Sequence, residues 1–514
     1  MINLLFTSST SACFEWQNDL PYYKEKEYTI LLDGKEVVKG NSNVFSLFDL
    51  QPGRKYTITS PDLEGSLEFC TKTDSATVNV RDFGAKGDGV SDDTIPVQTA
   101  INCLPRGGRL YFPKGVYLVG SLCLKSHITL DIPEGATLLG SPDKGKYPVI
   151  PGTCVDAVTG EELHFGTWEG NAVSMHQALL FAEYAEDITI VGRGCVNGNA
   201  EEAGWWIDVK SHPHGRPRLI FFNRCEGIRV HGIHACNSAS WQMHPYFSKE
   251  VDFLDMFISA PKDSPNTDAI DPEACDRVDI IGCRFSVGDD CIAIKSGKID
   301  IGRRFKQPAN RHTIRNCLMQ FGHGAVTLGS EMAGGVTNLT VNKCVFVQTD
   351  RGLRIKSRRG RGKDAIIDGV VFENIRMDGV LTPIVMNMWY NCCDPDRNSE
   401  YVWSRKHLPV DDRTPYLGRF TFRNMVCENC EAAACYCDGL PEQPIEQITV
   451  ENIRFTYSPN ARPSLPAMRE FMEEFCRVGM YFDNVKKLVV DNVTLEGVVG
   501  EELIANHIGE LIKK

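Results

Sequence analysis

Residues 278–285, Val-Asp-Ile-Ile-Gly-Cys-Arg-Phe, alternate apolar and polar side chains on either side of a glycine. An alternating pattern of this kind predicts two short strands joined by a turn. A unit this short cannot bury its apolar face alone, so repeated units must stack on one another. Similar stretches begin at six other positions: Ile228, Val251, Thr313, Leu339, Gln447 and Leu488.

The spacing of the repeats predicts the architecture. The first five starts, from Ile228 to Leu339, are 23 to 35 residues apart, whereas a propeller blade needs about 40–45 residues. We therefore predict an all-β protein whose main part is a right-handed parallel β-helix. Three longer gaps are predicted to be loops outside the stack, and loops of that length are usually functional, so they are candidate walls of a groove. These gaps are 141–186, 201–217 and 391–416.

The first 75 residues show a different pattern of short alternating strands, with Asp33-Gly34 as a hairpin turn. The stretch 50–58, Leu-Gln-Pro-Gly-Arg-Lys-Tyr-Thr-Ile, resembles the turn and tyrosine strand of a fibronectin type III sandwich. The pattern changes from Val78 onward. We therefore predict two domains, a small fibronectin type III-like β-sandwich at 1–75 and the parallel β-helix at 76–514.

Composition and charge restrict the partners of the chain. Of its 514 residues, 42% are hydrophobic and 24% are charged, which is ordinary for a globular protein. The net charge of −12 argues against nucleic acid or an anionic membrane as a partner, and no stretch is long and apolar enough to span a bilayer. An anionic ligand would need a local basic pocket. The sequence makes no prediction of the oligomeric state.

The 20 cysteines are scattered over a long chain, which is typical of reduced thiols rather than of a disulfide framework. No basic segment precedes the short apolar run within residues 1–16, so we predict no signal peptide and expect a cytoplasmic protein. One cluster has a spacing that superficially resembles a zinc site: Cys427, Cys430, Cys435 and Cys437. Its second pair is CxC and follows the first almost at once, so we favour small residues stacked inside a sheet and predict no metal and no cofactor.

Four short motifs lie on successive parts of the predicted stack: Asn266-Thr-Asp268, Gly288-Asp289-Asp290, Gly322-His323-Gly324 and Arg354-Ile355-Lys356. Adjacent parallel strands lie about 4.8 Å apart, so residues one coil apart come within side-chain reach. Asp268 and Asp289 are 21 positions apart, close to one coil. We therefore expect three carboxylates in one patch beside a histidine and two cations. Gly288 would allow a bulge that turns Asp289 and Asp290 to the same side.

Together, these motifs resemble those of the polygalacturonases of glycoside hydrolase family 28. The stretches 82–89, Asp-Phe-Gly-Ala-Lys-Gly-Asp-Gly, and 285–297, Phe-Ser-Val-Gly-Asp-Asp-Cys-Ile-Ala-Ile-Lys-Ser-Gly, resemble the bacterial branch of that family. The resemblance extends from Val78 to the C-terminus. It implies hydrolysis of the α-1,4 linkages of galacturonic acid, with inversion and without a metal. The implied partner is a galacturonate oligosaccharide or pectin.

The resemblance also implies roles for single residues. Asp289 is the general acid, while Asp268 and Asp290 hold and deprotonate the attacking water. His323 lies beside the acid, where it orients or tunes it. The residue types agree with these roles, because inverting hydrolysis needs one protonated and one ionised carboxyl, and crowding three aspartates forces their pKa values apart.

Galacturonate carries a carboxylate on every ring, so its site must supply fixed positive charge. Arg354 and Lys356 alternate on one predicted strand and share a face, so we predict that they bind a sugar carboxylate. By resemblance to the family, Asn266 and Tyr390 also bind substrate.

The remaining candidates are less specific. Arg358, Arg359 and Arg361 lie in a glycine-rich turn, and we expect them to be solvated or peripheral to the substrate. Four further side chains are candidates to bound the sugar, although core packing is at least as well supported for each of them. They are Trp205, Trp206, Trp241 and His244.

Three alternative functions stay open at this point. The first is hydrolysis of rhamnogalacturonan or xylogalacturonan within the same family. The second is a pectate lyase, in which carboxylates bind calcium and an arginine removes the proton. The third is a non-catalytic β-helix that binds or displays carbohydrate.

For the hydrolase we expect exo action. The loops at 141–186 and 391–416, together with the N-terminal sandwich, would close one end of the groove and restrict cleavage to chain ends. A cytoplasmic enzyme would act on short, imported oligogalacturonides, because polymer cannot enter a cytosol.

Overall fold

The computed structural model describes residues 1–391 and 399–514. Residues 392–398, part of the predicted loop 391–416, lie outside the described residues. The helices of the described part are α1 Thr94–Cys103, α2 Ile299–Phe305 and α3 Glu400–Trp403, with 3-10 helices at Val80–Phe83 and Lys144–Lys146. None of these helices is long and apolar enough to cross a membrane.

Seven strands form the N-terminal part: β1 Ile2–Thr7, β2 Ala12–Trp16, β3 Tyr23–Leu32, β4 Lys35–Ser42, β5 Val44–Leu47, β6 Lys55–Thr59 and β7 Ser66–Cys70. They pair antiparallel in two sheets, with strand orders β1-β2-β5 and β4-β3-β6-β7. One core unites Phe14 and Phe45 of the first sheet with Tyr28, Tyr56 and Phe69 of the second. This is the predicted small β-sandwich, while the division into domains at residues 75 and 76 stays a prediction.

The later strands fall into three groups along the chain. The first group is β8 Thr77–Asn79, β9 Asp88–Asp92, β10 Gly108–Tyr111, β11 Gly115–Val119, β12 Leu122–Cys123, β13 Ile128–Asp131 and β14 Ala136–Gly140. The second group consists of short strands: β15 Val149–Ile150, β16 Thr153–Val155, β17 Glu162–His164, β18 Thr167–Trp168, β19 Asn171–Ala172 and β20 Met175–His176. The third group is β21 Leu180–Glu183, β22 Glu186–Val191, β23 Cys195–Asn197, β24 Ile220–Asn223, β25 Glu226–His231, β26 His234–Cys236, β27 Met243–Tyr246, β28 Lys249–Leu254, β29 Phe257–Ser259, β30 Asp276–Ile281, β31 Arg284–Val287, β32 Ile292–Ile294, β33 Ala309–Arg315, β34 Leu318–Phe321, β35 Val326–Gly329, β36 Val336–Asn342, β37 Val345–Val347, β38 Arg351–Lys356, β39 Ile366–Asp378, β40 Thr382–Asn387, β41 Tyr416–Leu417, β42 Arg419–Cys430, β43 Ala433–Asp438, β44 Ile445–Tyr457, β45 Val478–Glu496 and β46 Leu503–Lys513.

From β8 onward, apart from the short strands β15 to β20, strands pair in parallel with the equivalent strand one coil later, which makes a parallel β-helix with three faces. The first sheet contains β8, β10, β13, β22, β25, β28, β30, β33 and β36. The second contains β9, β11, β14, β23, β26, β29, β31, β34 and β37. The third contains β12, β21, β24 and β27, which isolated bridges through Ile270 and Glu273 link to β32, β35, β38, β40 and β43. Nearer the C-terminus, long strands such as β39 and β45 pair in two sheets. The predicted fold class is confirmed.

The core of the β-helix is a stack of like residues. Val251 and Phe253 of β28 are buried and pair with Val278 and Ile280 of β30, which are buried as well. Alternate side chains of each strand therefore enter the interior, while the others face outward. This is the pattern that the repeated stretches predicted.

An asparagine ladder stabilises one corner of the coil. Asn374, Asn424, Asn452 and Asn492 all have φ between 48° and 56°, in the left-handed region that asparagine tolerates better than most residues. Each side-chain amide donates to the amide oxygen of an asparagine one coil earlier, at 2.9–3.3 Å. The series begins with Asn342 as the first acceptor. The ladder therefore combines a turn conformation with a hydrogen bond between coils.

The cluster Cys427, Cys430, Cys435 and Cys437 lies in the core of the β-helix, where all four side chains are fully buried and free. Two groups of side chains in the described part of the chain are close enough to hold a metal, and neither group includes any of these four cysteines. Their inward position agrees with the favoured interpretation of small residues stacked inside a sheet.

The sandwich, an insertion and a later excursion are among the parts of the chain that lie outside the coils. The sandwich docks through the Glu15 carboxylate, which accepts from Arg315 Nε at 2.8 Å and from Asn316 Nδ2 at 2.7 Å. The insertion 149–176 forms three two-stranded antiparallel sheets. A further excursion, 458–477, joins β44 to β45 and was not predicted.

We predict that Asn424→Ala lowers the free energy of unfolding by about 1–3 kcal/mol. Alanine is strained at this left-handed position and loses two ladder hydrogen bonds. Asn424→Gly loses the same hydrogen bonds without the strain, so its effect should be smaller. Denaturant unfolding followed by circular dichroism measures both, and equal losses for the two variants would contradict a contribution from the turn conformation.

Candidate active site

The outward side chains of the third sheet stack in columns across successive coils. Ala293, Thr327 and Arg354 lie side by side in one column. In the neighbouring column, Glu273 pairs with Lys295. Charged residues from distant parts of the sequence therefore meet on one face of the β-helix.

Three aspartates meet at the edge of this face, as the motifs predicted. Asp268 lies in the loop just before the third sheet, while Asp289 and Asp290 lie in the next coil, between β31 and β32. The Ala269 N–H donates to the Asp290 carbonyl at 3.1 Å, which aligns the two loops. One carboxylate oxygen from each aspartate lies within 4.8 Å of those of the other two.

The break that directs Asp289 and Asp290 to the same side is a turn between two strands rather than a bulge within one. Strand β31 ends at Val287, so neither aspartate belongs to a regular strand. Gly288 is needed for a close approach instead, because a Cβ there would lie 2.5 Å from the Ser264 carbonyl oxygen. The Asp290 N–H donates to Asp289 Oδ1 at 2.9 Å, which fixes the Asp289 side chain.

Both predicted cations bind Asp290 directly. Arg354 Nη1 lies 3.0 Å from Asp290 Oδ1, and Lys356 Nζ lies 2.8 Å from Oδ2. Burial alone would raise the pKa of Asp290, but Lys356 and Arg354 hold it well below its ordinary value. Asp290 is therefore ionised although its side chain is completely buried.

Asp268 has the opposite environment. Burial and the neighbouring charges of Asp289 and Asp271 raise the pKa of Asp268 well above its ordinary value, against the effect of Lys295. The cluster therefore holds a proton at a pH at which an isolated aspartate would have lost it. This proton belongs to the coupled group of carboxyls and not to one residue alone.

A buried charge network underlies the aspartates. Lys295 Nζ lies 3.2 Å from Glu331 Oε2 and 3.4 Å from Asp271 Oδ1. It also lies 4.4 Å from the centre of the Trp241 ring. Burial raises the pKa of Asp271 to about 7, with Lys295 acting against it. The sequence analysis did not identify Lys295, Asp271 or Glu331. One signal was available for Lys295, because the alternation of Ile292-Ala-Ile-Lys295 places this lysine on the outward face.

His244 and Glu273 form a second buried pair beside this network. Their Nε2 and Oε2 atoms are 3.1 Å apart, and both side chains are fully buried. Burial raises the pKa of Glu273 to about 8 and keeps that of His244 well below its ordinary value. His244 therefore supports the floor of the site. Trp205 is fully buried in the main core, whereas Trp241 stacks on Trp168 at 5.4 Å.

The other predicted residues surround the same patch. His323 is exposed, and its backbone N–H donates to the Asp289 carbonyl at 3.2 Å. Asn266 Oδ1 accepts from Arg216 Nη2 at 2.6 Å. The Tyr390 ring lies 5.9 Å from Lys356 Nζ. The fold thus brings the predicted site residues together on one face.

One end of the patch opens into a cavity of about 490 Å³. Its walls come from the insertion 149–176 and from the loop 201–217, both predicted as walls, and Asn266 lines its inner end. Two arginines line it as well, Arg216 and Arg218, and the guanidinium of Arg218 lies 4.9 Å from the Trp168 ring and 4.6 Å from the Trp241 ring. Sequence reasoning missed both arginines.

The excursion 458–477 covers the other side of the cationic pair. Met468 Sδ lies 2.8 Å from Arg354 Nη2, and the Met468 carbonyl accepts from Asn387 Nδ2 at 2.7 Å. Tyr390 bridges to Arg469 through the backbone. This wall was not expected from the sequence, because its segment has no repeat and no motif.

Arg358, Arg359 and Arg361 are buried, so the expectation that they are solvated was wrong, while the alternative that they are peripheral to the substrate stays a prediction. Arg359 donates to both carboxylate oxygens of Glu442, at 2.6 and 2.9 Å, and to the Ser404 carbonyl at 2.6 Å. The segment after α3 packs over the glycine-rich turn and removes it from solvent.

Comparisons with known proteins identify the family of the chain. A model of the family described as glycosyl hydrolases family 28 matches residues 126–464, more than half of the chain. A model described as rhamnogalacturonase A/epimerase, pectate lyase-like, matches residues 77–173. A probable polygalacturonase from Vitis vinifera is 30% identical over 395 residues, which cover 74% of each chain.

Two solved structures are similar over most of their length. A family 28 exopolygalacturonase from Yersinia enterocolitica has a TM-score of 0.73 at 19% identity, covering 99% of this chain and 98% of that one. A hyperthermoactive exopolygalacturonase from Thermotoga maritima has a TM-score of 0.61 at 25% identity, covering 84% of this chain and 91% of that one. The chain belongs to glycosyl hydrolases family 28.

Proposed function

We propose that the chain hydrolyses the α-1,4 linkages of galacturonate oligosaccharides or pectin from a chain end. The observation that carries the proposal is the arrangement around Asp290, whose two oxygens are held by Arg354 and Lys356 while Asp268 and Asp289 lie within 4.8 Å. A carboxyl cluster that retains a proton next to a fixed ionised carboxylate can supply both an acid and a base.

In the proposed reaction, the shared proton of the cluster resides on Asp289, which donates it to the glycosidic oxygen as the bond to the anomeric carbon breaks, while Asp268 is ionised. Asp289 is the least buried of the three aspartates, so a bound sugar can reach it. Water held by Asp268 and Asp290 attacks the anomeric carbon and gives its proton to Asp268. The raised pKa of Asp268 makes it the stronger base, while the ionised Asp290 orients the water.

The environment of the carboxylates favours attack by water over attack by an aspartate. Their nearest oxygens are closer than the roughly 6.5–9.5 Å between carboxyls that is typical of inverting enzymes. However, both oxygens of Asp290 are engaged by cations, and Asp268 is buried. Neither is a free nucleophile, so we propose inversion at the anomeric carbon.

The same cations suit a uronate. Lys356 has N–H donors left after its contact with Asp290, and Tyr390 lies beside it as a further surface for the sugar ring. In a protein of net charge −12, this local pair supplies the fixed positive charge that a galacturonate needs. It also disfavours a lyase, because a calcium ion at Asp290 would lie next to two cations.

The cavity beside Asn266 supports exo action. Its volume of about 490 Å³ lies within the range of small-ligand pockets. The insertion reaches over the patch, where the Lys298 N–H donates to the Gly170 carbonyl at 3.0 Å. Similarity to the Thermotoga maritima exopolygalacturonase supports the same proposal.

We predict that Asp289→Asn lowers the release of reducing ends from oligogalacturonide by about 10²–10⁴-fold, because the amide cannot act as the acid. Asp19→Asn, at an exposed aspartate of the sandwich, is the matched control and should keep full activity. NMR of the wild-type reaction should show the β-anomer as the first product. Unchanged activity in Asp289→Asn would remove the proposal, and an unsaturated product that absorbs in the ultraviolet and requires Ca²⁺ would indicate a lyase instead.

Exo action predicts that a defined oligogalacturonide yields only monomer or dimer from the first time point, as measured by chromatography. The walled cavity would hold one chain end and fix the distance to the cleaved bond. A ladder of intermediate sizes early in the reaction would contradict this.

Faster cleavage of rhamnogalacturonan or xylogalacturonan in a parallel assay would assign the alternative substrate.

The alkaline limb of the pH–rate profile should respond to the charges around Asp268. Asp271→Asn removes a charge that raises the pKa of Asp268, so the cluster should lose its proton at lower pH and the limb should move down. Lys295→Met removes a charge that lowers this pKa, so the limb should move up. Steady-state rates across pH, with circular dichroism as the folding control, measure both, and shifts of the same sign would contradict the assignment.

A further inference from the structure

A cluster on the second sheet takes no part in the chemistry described above. Cys195 lies on β23, and His234 and Cys236 lie on β26, one coil later. Their potential ligand atoms all lie within 4.8 Å of one another. The buried residues Val196 and Ala235 alternate with them, so the three side chains share the outward face.

The distance between the two thiols fits a bound metal better than a disulfide. Cys195 Sγ and Cys236 Sγ are 3.6 Å apart, whereas a disulfide bond needs about 2.05 Å. Two sulfurs at Zn–S distances of about 2.3 Å in tetrahedral geometry lie about 3.8 Å apart. The register also pairs Cys195 with His234, so the two thiols meet diagonally across the strands.

One ring nitrogen of the histidine has a hydrogen-bond partner outside the cluster. His234 Nε2 lies 2.9 Å from Ser259 Oγ on β29, which leaves Nδ1 as the other ring nitrogen for a metal. Metal-binding histidines usually have such a partner on the second nitrogen. The ring also stacks on Phe257 at 4.7 Å with an angle of 14° between the planes, and Arg284 lies over the same Phe257 ring at 4.0 Å. Packing therefore fixes the ring.

A cleft lies beside the cluster, further along the chain direction of the same strands. The outward residues that follow the two cysteines, Asn197 and Asn237, line a space of about 360 Å³ with Glu201 and Glu202. Cys195 and His234 are themselves half-buried, so water can reach the cluster from the outward face. The two acidic residues make the nearby surface favourable to a cation.

We propose that Cys195, His234 and Cys236 bind one zinc ion, with water in the fourth position. The ion joins two successive coils, because its ligands come from β23 and β26. Since the aspartates lie in loops of later coils, between the second and third sheets, the metal stabilises the β-helix and is not part of the hydrolytic chemistry. The proposal is independent of the substrate of the enzyme.

The test uses the full chain, reduced and freed of metal, and titrated with Co²⁺ as a spectroscopic substitute for Zn²⁺. We expect one equivalent to give thiolate-to-cobalt charge-transfer bands and the visible bands of a tetrahedral site, and Zn²⁺ to displace it. Cys195→Ser and Cys236→Ser should lose these bands, while Cys154→Ser, at an exposed cysteine, should keep them. Ser259→Ala should weaken Zn²⁺ binding by about tenfold or more.

Two further measurements do not depend on the cobalt spectrum. Zn²⁺ should protect the half-buried Cys195 from alkylation, while the exposed Cys123 and Cys154 react with or without the metal. Zn²⁺ should also raise the unfolding temperature of the wild type and not that of Cys195→Ser. Cobalt bands of equal strength in Cys195→Ser, or alkylation of Cys195 that Zn²⁺ does not change, would overturn the proposal.

Discussion

The parallel register between successive coils is the constraint on which the rest of the structure depends. Each coil places a residue beside its equivalent one coil later, at a strand separation of about 4.8 Å. Glu273 beside Lys295 and Thr327 beside Arg354 are examples. A slip of one residue would turn the outward side chains into the core, so the register that stacks the apolar interior also assembles the charged face.

The sequence predicted the parts of the molecule that follow from local periodicity or from a compact motif. The β-helix followed from the alternating repeats, and the meeting of Asp268 with Asp289 followed from a separation close to one coil. Lys295 was not identified, because alternation shows that it faces outward but not which charges lie on the neighbouring coils. Arg359 was misjudged for a related reason: its partner, Glu442, is 83 positions away and belongs to no motif.

Spacing along the chain was a poor guide to the cysteines. Cys427 and Cys430 have the CxxC spacing of zinc sites, yet the fold turns both into the core. Cys195 and Cys236 are 41 positions apart, and only the coil brings their thiols together. The excursion 458–477 was missed for the opposite reason, since a segment without periodicity carries no signal of what it covers. The cytoplasmic location and the use of short imported substrates stay predictions.

The three aspartates differ in burial, and this difference gives the site a direction. Asp290 is completely buried and its charge is balanced by Arg354 and Lys356, so its ionisation does not depend on the substrate. Asp268 is buried among carboxylates, which favours its protonated form. Asp289 alone of the three borders solvent. A ligand that enters from solvent therefore meets Asp289 first, while the charge of Asp290 and the proton favoured at Asp268 are set by the protein behind it.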